Sequence, residues 1–179
     1  MKTNMNSSPT NKQKNIYYKL VLIYVSFIAL IFAVQALSAQ KVINLDEYIN
    51  ELKMEKSTES IENAEILRSL AFDYNPTFFV KDNQITVINP EIPICGEIDF
   101  DEIQWLNSPN SKFENVEFLT IRLRTPTTQK INLDQFSNLQ NLSYIHFICE
   151  YSCNSSSIEQ LIEGNNTKIK IFYSINIPN

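Results

Sequence analysis

The sequence predicts an α+β fold in which a helical pair and a β-hairpin precede a short solenoid of βα units. Three observations predict it. Ile121-Arg122-Leu123, Ile145-His146-Phe147 and Ile169-Lys170-Ile171 repeat one apolar-x-apolar pattern, each 24 residues after the last, and Ile98-Asp99-Phe100 precedes them by 23. A fixed period in the twenties means stacked strand units that bury one face against their neighbours. Ahead of them, Leu45, Tyr48, Ile49 and Leu52 fall at i, i+3, i+4 and i+7, the spacing of one helix face. Between the two regions, Thr77 to Val80 and Gln84 to Ile88 are β-rich runs joined by Lys81-Asp82-Asn83, which reads as a hairpin.

The chain opens with Lys2, Lys12, Lys14 and Lys19 and no acidic residue, then an apolar run from Leu20 to Leu37 closed by Ser38 and Ala39. This is the layout of a signal peptide spanning residues 1–39, with Gln40 as the first mature residue. An uncleaved membrane anchor is the alternative, because the run is about as long as the roughly 20 residues that span a bilayer. No Cys stands near the cut, which argues against a lipid anchor. Beyond residue 39 the chain keeps eleven basic and all twenty acidic residues, a net charge of −9. Such a surface repels phosphate backbones, and no basic stripe interleaved with aromatics appears, so nucleic acid is a poor partner. The remaining 140 residues suit one domain.

Residues 40–94 make the N-terminal part. Asn44 is placed to cap the first helix, with Asp46 and Glu47 in the first turn, where the helix dipole favours acids. A second helix starts near Ser57 or Thr58. Ile61, Ala64, Leu67 and Ala71 form its apolar face, while Glu59, Glu62 and Glu65 point to solvent. Asn75-Pro76 ends it before the hairpin. Together the helices and the hairpin are expected to cap the open edge of the strand units, which an exported repeat protein needs.

Residues 95–179 carry the repeats. Cys95-x-x-Ile98-x-Phe100, Phe118-x-x-Ile121-x-Leu123 and Leu142-x-x-Ile145-x-Phe147 share one frame, and Asn166-x-x-Ile169-x-Ile171 fits it except at its first position. Over residues 95–175 the chain resembles a degenerate leucine-rich repeat protein, whose units place such a frame on a short parallel strand and return by a helix or loop. The family's turn position, usually Asn or Cys, holds Ile103, Pro126, Glu150 and Ser174 here, so the turns need other partners. An ordinary α/β sheet competes with the solenoid, but its crossovers commonly take about 30 residues or more, and the period of 24 is shorter. Returns are expected at Asp101 to Leu106, Leu133 to Phe136 and Ser157 to Glu163, with Ser157 as an N-cap and Gly164 as a C′ residue.

Strand alternation places the neighbours of the apolar frame on the opposite face. That face carries Glu97, Asp99 and Asp101; Thr120, Arg122 and Arg124; Tyr144, His146 and Ile148; Lys168, Lys170 and Phe172. In leucine-rich repeat proteins the concave sheet is the usual binding surface. The resemblance therefore nominates Asp99, Arg122, Arg124, Tyr144, His146, Ile148, Lys170 and Phe172 as contacts to a protein partner. Two plainer readings compete: the acidic and basic rows pair with each other across the sheet, and the tail Ser174 to Asn179 covers the aromatics.

Catalysis is poorly supported by inventory. Two glycines, Gly96 and Gly164, allow neither a phosphate-cradling loop nor a nucleophile elbow. His146 is the only histidine, and Cys149, three residues on along a strand, faces the other way. Glu97, Asp99 and Asp101 could hold calcium or flank a glycoside, but no EF-hand loop accompanies them and arginines stand beside them. His146, Cys149 and Cys153 lack a fourth zinc ligand. Of three cysteines, Cys149 and Cys153 are the disulfide candidates, leaving Cys95 free and buried. No cofactor or metal is expected. The function read from the sequence is an exported, non-enzymatic protein–protein interaction module of a bacterial envelope, periplasmic or extracellular. The alternative is a periplasmic inhibitor or immunity-type protein that neutralises a toxin or hydrolase. A carbohydrate-active enzyme using the acidic strand ranks third.

Overall fold

The computed structural model describes residues 21, 23–25, 40–81, 84–88, 91–164 and 166–178. Met1–Ala39 and Gln40–Asn179 are two compact units. The leader expected at residues 1–39 lies, save four positions, outside the described residues. Among the described residues no helix is long and apolar enough to cross a membrane.

The second unit is a mixed α/β arrangement around a seven-stranded, mostly parallel sheet. In chain order it runs β1 (Val42–Asn44), α1 (Leu45–Met54), α2 (Thr58–Phe72), β2 (Thr77–Lys81), β3 (Gln84–Ile88), β4 (Cys95–Asp99), β5 (Phe118–Leu123), β6 (Ile131–Asn132), β7 (Tyr144–Cys149), α3 (Ser155–Glu159), β8 (Ile162–Glu163) and β9 (Lys170–Ile175). The sheet order is β1-β9-β7-β5-β4-β2-β3, and only β2–β3 is antiparallel. β6 and β8 form a separate two-stranded ladder among the return segments.

Local chemistry explains the helix starts. Asn44 accepts from the Glu47 amide at 3.1 Å, and the Ser57 hydroxyl accepts from the Ser60 amide at 3.0 Å. Between the helices Lys56 takes a φ of +54°, a left-handed residue that turns the chain back. Asn154, not Ser157, caps α3; Ser157 sits in the first turn and its hydroxyl accepts from the Asn154 amide in return. The other returns, Phe100–Asn107, Ser111–Phe113 and Leu133–Asn138, are 3₁₀ rather than α. Such tight turns suit segments this short.

The register departs from the sequence period. Ile98 pairs with Ile121, Ile121 with Phe147, and Phe147 with Tyr173, so the steps are 23, 26 and 26 residues. The pattern of 24 would set Ile121 beside Ile145. Anchoring bonds explain the slip: the Tyr144 amide donates to the Glu117 carbonyl at 3.0 Å, and the Lys170 amide to the Ser143 carbonyl at 2.9 Å. A slip of two keeps every side chain on its face, whereas a slip of one would have exchanged the faces.

On the back of the sheet Leu119, Ile121, Leu123, Ile145, Phe147 and Ile171 are buried beneath the returns, which contribute Ile103, Leu106, Phe113, Val116, Ile131, Leu133, Phe136, Leu139, Ile158 and Leu161. Neighbouring returns are joined by asparagines. Asn138 donates from Nδ2 to the Leu106 carbonyl at 3.0 Å, and Asn141 to the Glu114 carbonyl at 2.7 Å. Gly96 has no room for a side chain, since a Cβ there would lie 2.3 Å from the ring of Phe78, itself packed 4.9 Å from Phe113.

The expectation that the helices cap an open edge is corrected. Leu45, Ile49, Leu52, Ala64 and Leu67 pack on Cys95, Phe118 and Phe172, on the front face of the sheet. Topology gives the reason. The chain leaves β1 at one edge, reaches β2 near the other, and then steps back through β4, β5 and β7 to β9 beside β1. Crossovers between parallel strands are nearly always right-handed, so connections taken in opposite directions must pass over opposite faces. The returns fill the back and the helical pair fills the front. Of the N-terminal segment, β1 extends one edge beside β9 and the β2–β3 hairpin extends the other, while the helices lie between them on the front face.

Candidate functional site

The front face has two halves. Over the strand starts, Tyr48 of α1 lies with its ring 5.3 Å from Phe172, Phe172 lies 6.1 Å from Tyr144, and Tyr144 lies 6.3 Å from Phe118. Phe172 is fully buried and His146 is 3% exposed. The Nε2 of His146 stands 2.9 Å from the Ser174 hydroxyl, and its ring lies 5.9 Å from that of Phe118. Burial, and secondarily the charge of Arg122, push its pKa down to about 4. The imidazole is a neutral interior group rather than a contact residue.

Two expected contacts, His146 and Phe172, are thus removed from any open surface. Tyr144 and Ile148 are half-buried. Lys170 is exposed, but its Nζ donates to the Tyr48 hydroxyl at 2.8 Å and lies 5.2 Å from the centre of that ring. Cys95, also under the helices, is a free thiol whose pKa is raised to about 12 by burial and then by the charge of Glu117. Such a thiol is inert.

Toward the strand ends the face is open and ionic. Arg122 Nε meets Glu97 Oε1 at 2.5 Å across β4 and β5, and Arg124 Nη2 meets Asp99 Oδ2 at 3.0 Å. Glu150 bridges the two arginines, 3.9 Å from Arg122 and 3.6 Å from Arg124. The acidic and basic rows therefore pair with each other across the sheet, which is the first of the two plainer readings. Arg124 stays half exposed, its pKa raised first by its hydrogen bond to Asp99. Cys149 and Cys153 are joined by a disulfide, with Cα atoms 6.5 Å apart, and Glu150 lies inside that small loop. Its amide donates to the Leu123 carbonyl at 2.9 Å, so covalent and hydrogen-bonded ties both hold the carboxylate between the arginines.

Beside this network runs a groove that the helices leave uncovered. A cavity of about 200 Å³ lies between the end of α2 and the sheet, lined by Tyr74, Asn75, Phe79, Ile88 and Glu97. A second, of about 220 Å³, shares Phe79, Ile88 and Glu97 and adds Thr86, Asp99 and Arg122. A third, of about 300 Å³ at the carboxyl ends of the strands, shares Lys81, Asp99, Arg122 and Arg124 with the second and adds Asp101, Thr125 and Thr127. The shared linings make one continuous trough, apolar on the hairpin side and ionic on the side of β5.

Of the sequence-derived contacts, Asp99, Arg122 and Arg124 stand together in this trough. Tyr74, Lys81, Phe79 and Ile88 were missed. For Phe79 and Ile88 the signal was the alternation in Thr77 to Val80 and Gln84 to Ile88, which puts Phe79, Thr86 and Ile88 on one face, and the expected cap role of the hairpin concealed it. Tyr74 and Lys81, outside those runs, carried no such signal. Among the described residues no group of three or more His, Cys, Asp or Glu side chains is placed to hold a metal ion. Comparison with protein-family models, with curated proteins and with solved structures finds no match.

Proposed function

We propose that this chain is an exported, non-catalytic protein-binding module whose contact surface is the trough over β3, β2, β4 and β5. The observation that carries the reading is the pairing of exposed apolar side chains with fixed charges along one uncovered strip of rigid sheet. Tyr74 and Ile88 are exposed beside Phe79, and the ion pairs of Glu97, Asp99, Arg122, Arg124 and Glu150 line the other wall. An apolar anchor ringed by polar groups is the usual anatomy of a protein-binding patch. Strands β4, β5, β7 and β9, adjacent in sequence order and returning over one face, support reading residues 95–175 as a degenerate leucine-rich-repeat-like array. The basic, apolar and small-residue sections of the leader, with a disulfide in the folded unit, support export to an oxidising compartment.

The test is affinity capture of exported proteins from the producing cells on the full chain, beside Phe79→Asp and Arg124→Glu variants with native-like circular dichroism. A protein retained by the native chain and lost by both variants supports the reading. One dominant toxin-like or hydrolase partner would select the inhibitor alternative within it. Equal retention by all three forms contradicts it.

A further inference from the structure

The two edges of the sheet are unlike. At one, β1 is three residues long, its Val42 amide donates to Glu159 Oε1 at 3.3 Å, and Asn44 is taken up in capping α1. At the other, β3 is five residues long, pairs with β2 on one side only, and reads Gln84-Ile85-Thr86-Val87-Ile88. It has neither the charges nor the proline nor the shortness by which edge strands avoid pairing.

We infer that β3 pairs antiparallel with β3 of a second copy of this chain, joining two sheets across a two-fold axis at Thr86. The occupant follows from self-complementarity. Centred on Thr86, the pairing sets Gln84 opposite the second copy's Ile88 and Ile85 opposite its Val87. Ile85 and Val87 already pack against the back core, so the apolar row on that face continues unbroken into the second copy. The unit carries a net charge of −9, which opposes association in general, yet no charged residue lies between Gln84 and Ile88. The strip is the place where two such surfaces can meet without like charges facing each other. Among the described residues β3 is the one edge of the seven-stranded sheet that is longer than three residues, so an isologous contact through it gives a closed dimer rather than a fibre. This inference does not depend on the trough being a binding site.

Sedimentation velocity of the full chain over a wide concentration range tests it. The native protein is expected to sediment at twice its own chain mass as concentration rises. Thr86→Lys, which puts two ammonium groups face to face at the axis, should raise the dissociation constant at least about tenfold, while Thr86→Val should keep the dimer. The register has its own probe. Cys95 is buried and the other two cysteines are bonded, so Thr86→Cys should give a disulfide-linked dimer under mild oxidation and Gln84→Cys, whose opposite neighbour is Ile88, should not. A native chain that stays monomeric throughout, a dimer unaffected by Thr86→Lys, assemblies larger than a dimer, or stronger cross-linking at 84 than at 86 would each overturn the inference.

Discussion

Phe172 of β9 and Tyr48 of α1 face each other with ring centres 5.3 Å apart, which ties the last strand of the sheet to the first helix of the chain. The contact shows that the aromatics of the front face serve the interior. It follows that Phe172→Ala should destabilise the fold by about 3 to 5 kcal/mol, the usual cost of emptying a buried Phe site. Denaturant unfolding checks this. A loss below about 1 kcal/mol would mean that α1 does not cover the strand.

His146 carries a pH dependence. Its folded pKa, near 4, lies below the unfolded value of 6.5, so the unfolded chain binds the extra proton between them. Stability is therefore full above pH 6.5 and falls as pH drops toward 4, by on the order of 3 kcal/mol once both states are protonated. Unfolding free energies at pH 7 and pH 5 should differ for the native chain, and the difference should shrink in His146→Gln. An unchanged difference in the variant would assign the effect to carboxylates.

Gly96 should tolerate no side chain. Gly96→Ala drives a methyl group into the Phe78 ring, and since that ring is held against Phe113, the strain should cost about 1 to 3 kcal/mol. Thermal unfolding of Gly96→Ala beside Gly96→Ala/Phe78→Leu gives the check. The smaller partner should restore part of the loss.

The disulfide should contribute about 2 kcal/mol, the chain-entropy value for so short a loop. Unfolding with and without reductant measures it. Cys153→Ser should behave like the reduced protein, and its Arg124 should exchange its side-chain protons faster, because Glu150 is then less firmly held.

The division of the strands into two faces was legible in the sequence because alternation survives the two-residue slip that the period of 24 concealed. The helices and their first caps, Asn44 and the Ser57 region, were legible for the same local reason: capping chemistry and helical spacing lie within a few residues. Which surface the helices cover was not, since an amphipathic face declares that it is buried but not against what. A clue was present in Tyr144 to Cys149, where Tyr-Ile-His-Phe-Ile-Cys runs almost wholly apolar. Strands of a parallel sheet covered on both faces read in that way. Strand β1 went unseen because three residues, the last of them the helix cap Asn44, carry no period. The ion pairs of Arg122 and Arg124 were visible as rows of opposite charge, whereas the trough beside them depends on where the hairpin docks, a long-range fact.

The most direct test of the binding account is hydroxyl-radical footprinting of the chain alone and with the captured partner bound, read by mass spectrometry. Tyr74, Phe79 and Ile88 should be protected, while Met54 and Ile66, exposed on the outer sides of the helices, keep their labelling. Protection of Met54 and Ile66 with Tyr74 and Phe79 still labelled would contradict the account and move the contact surface onto the helical pair.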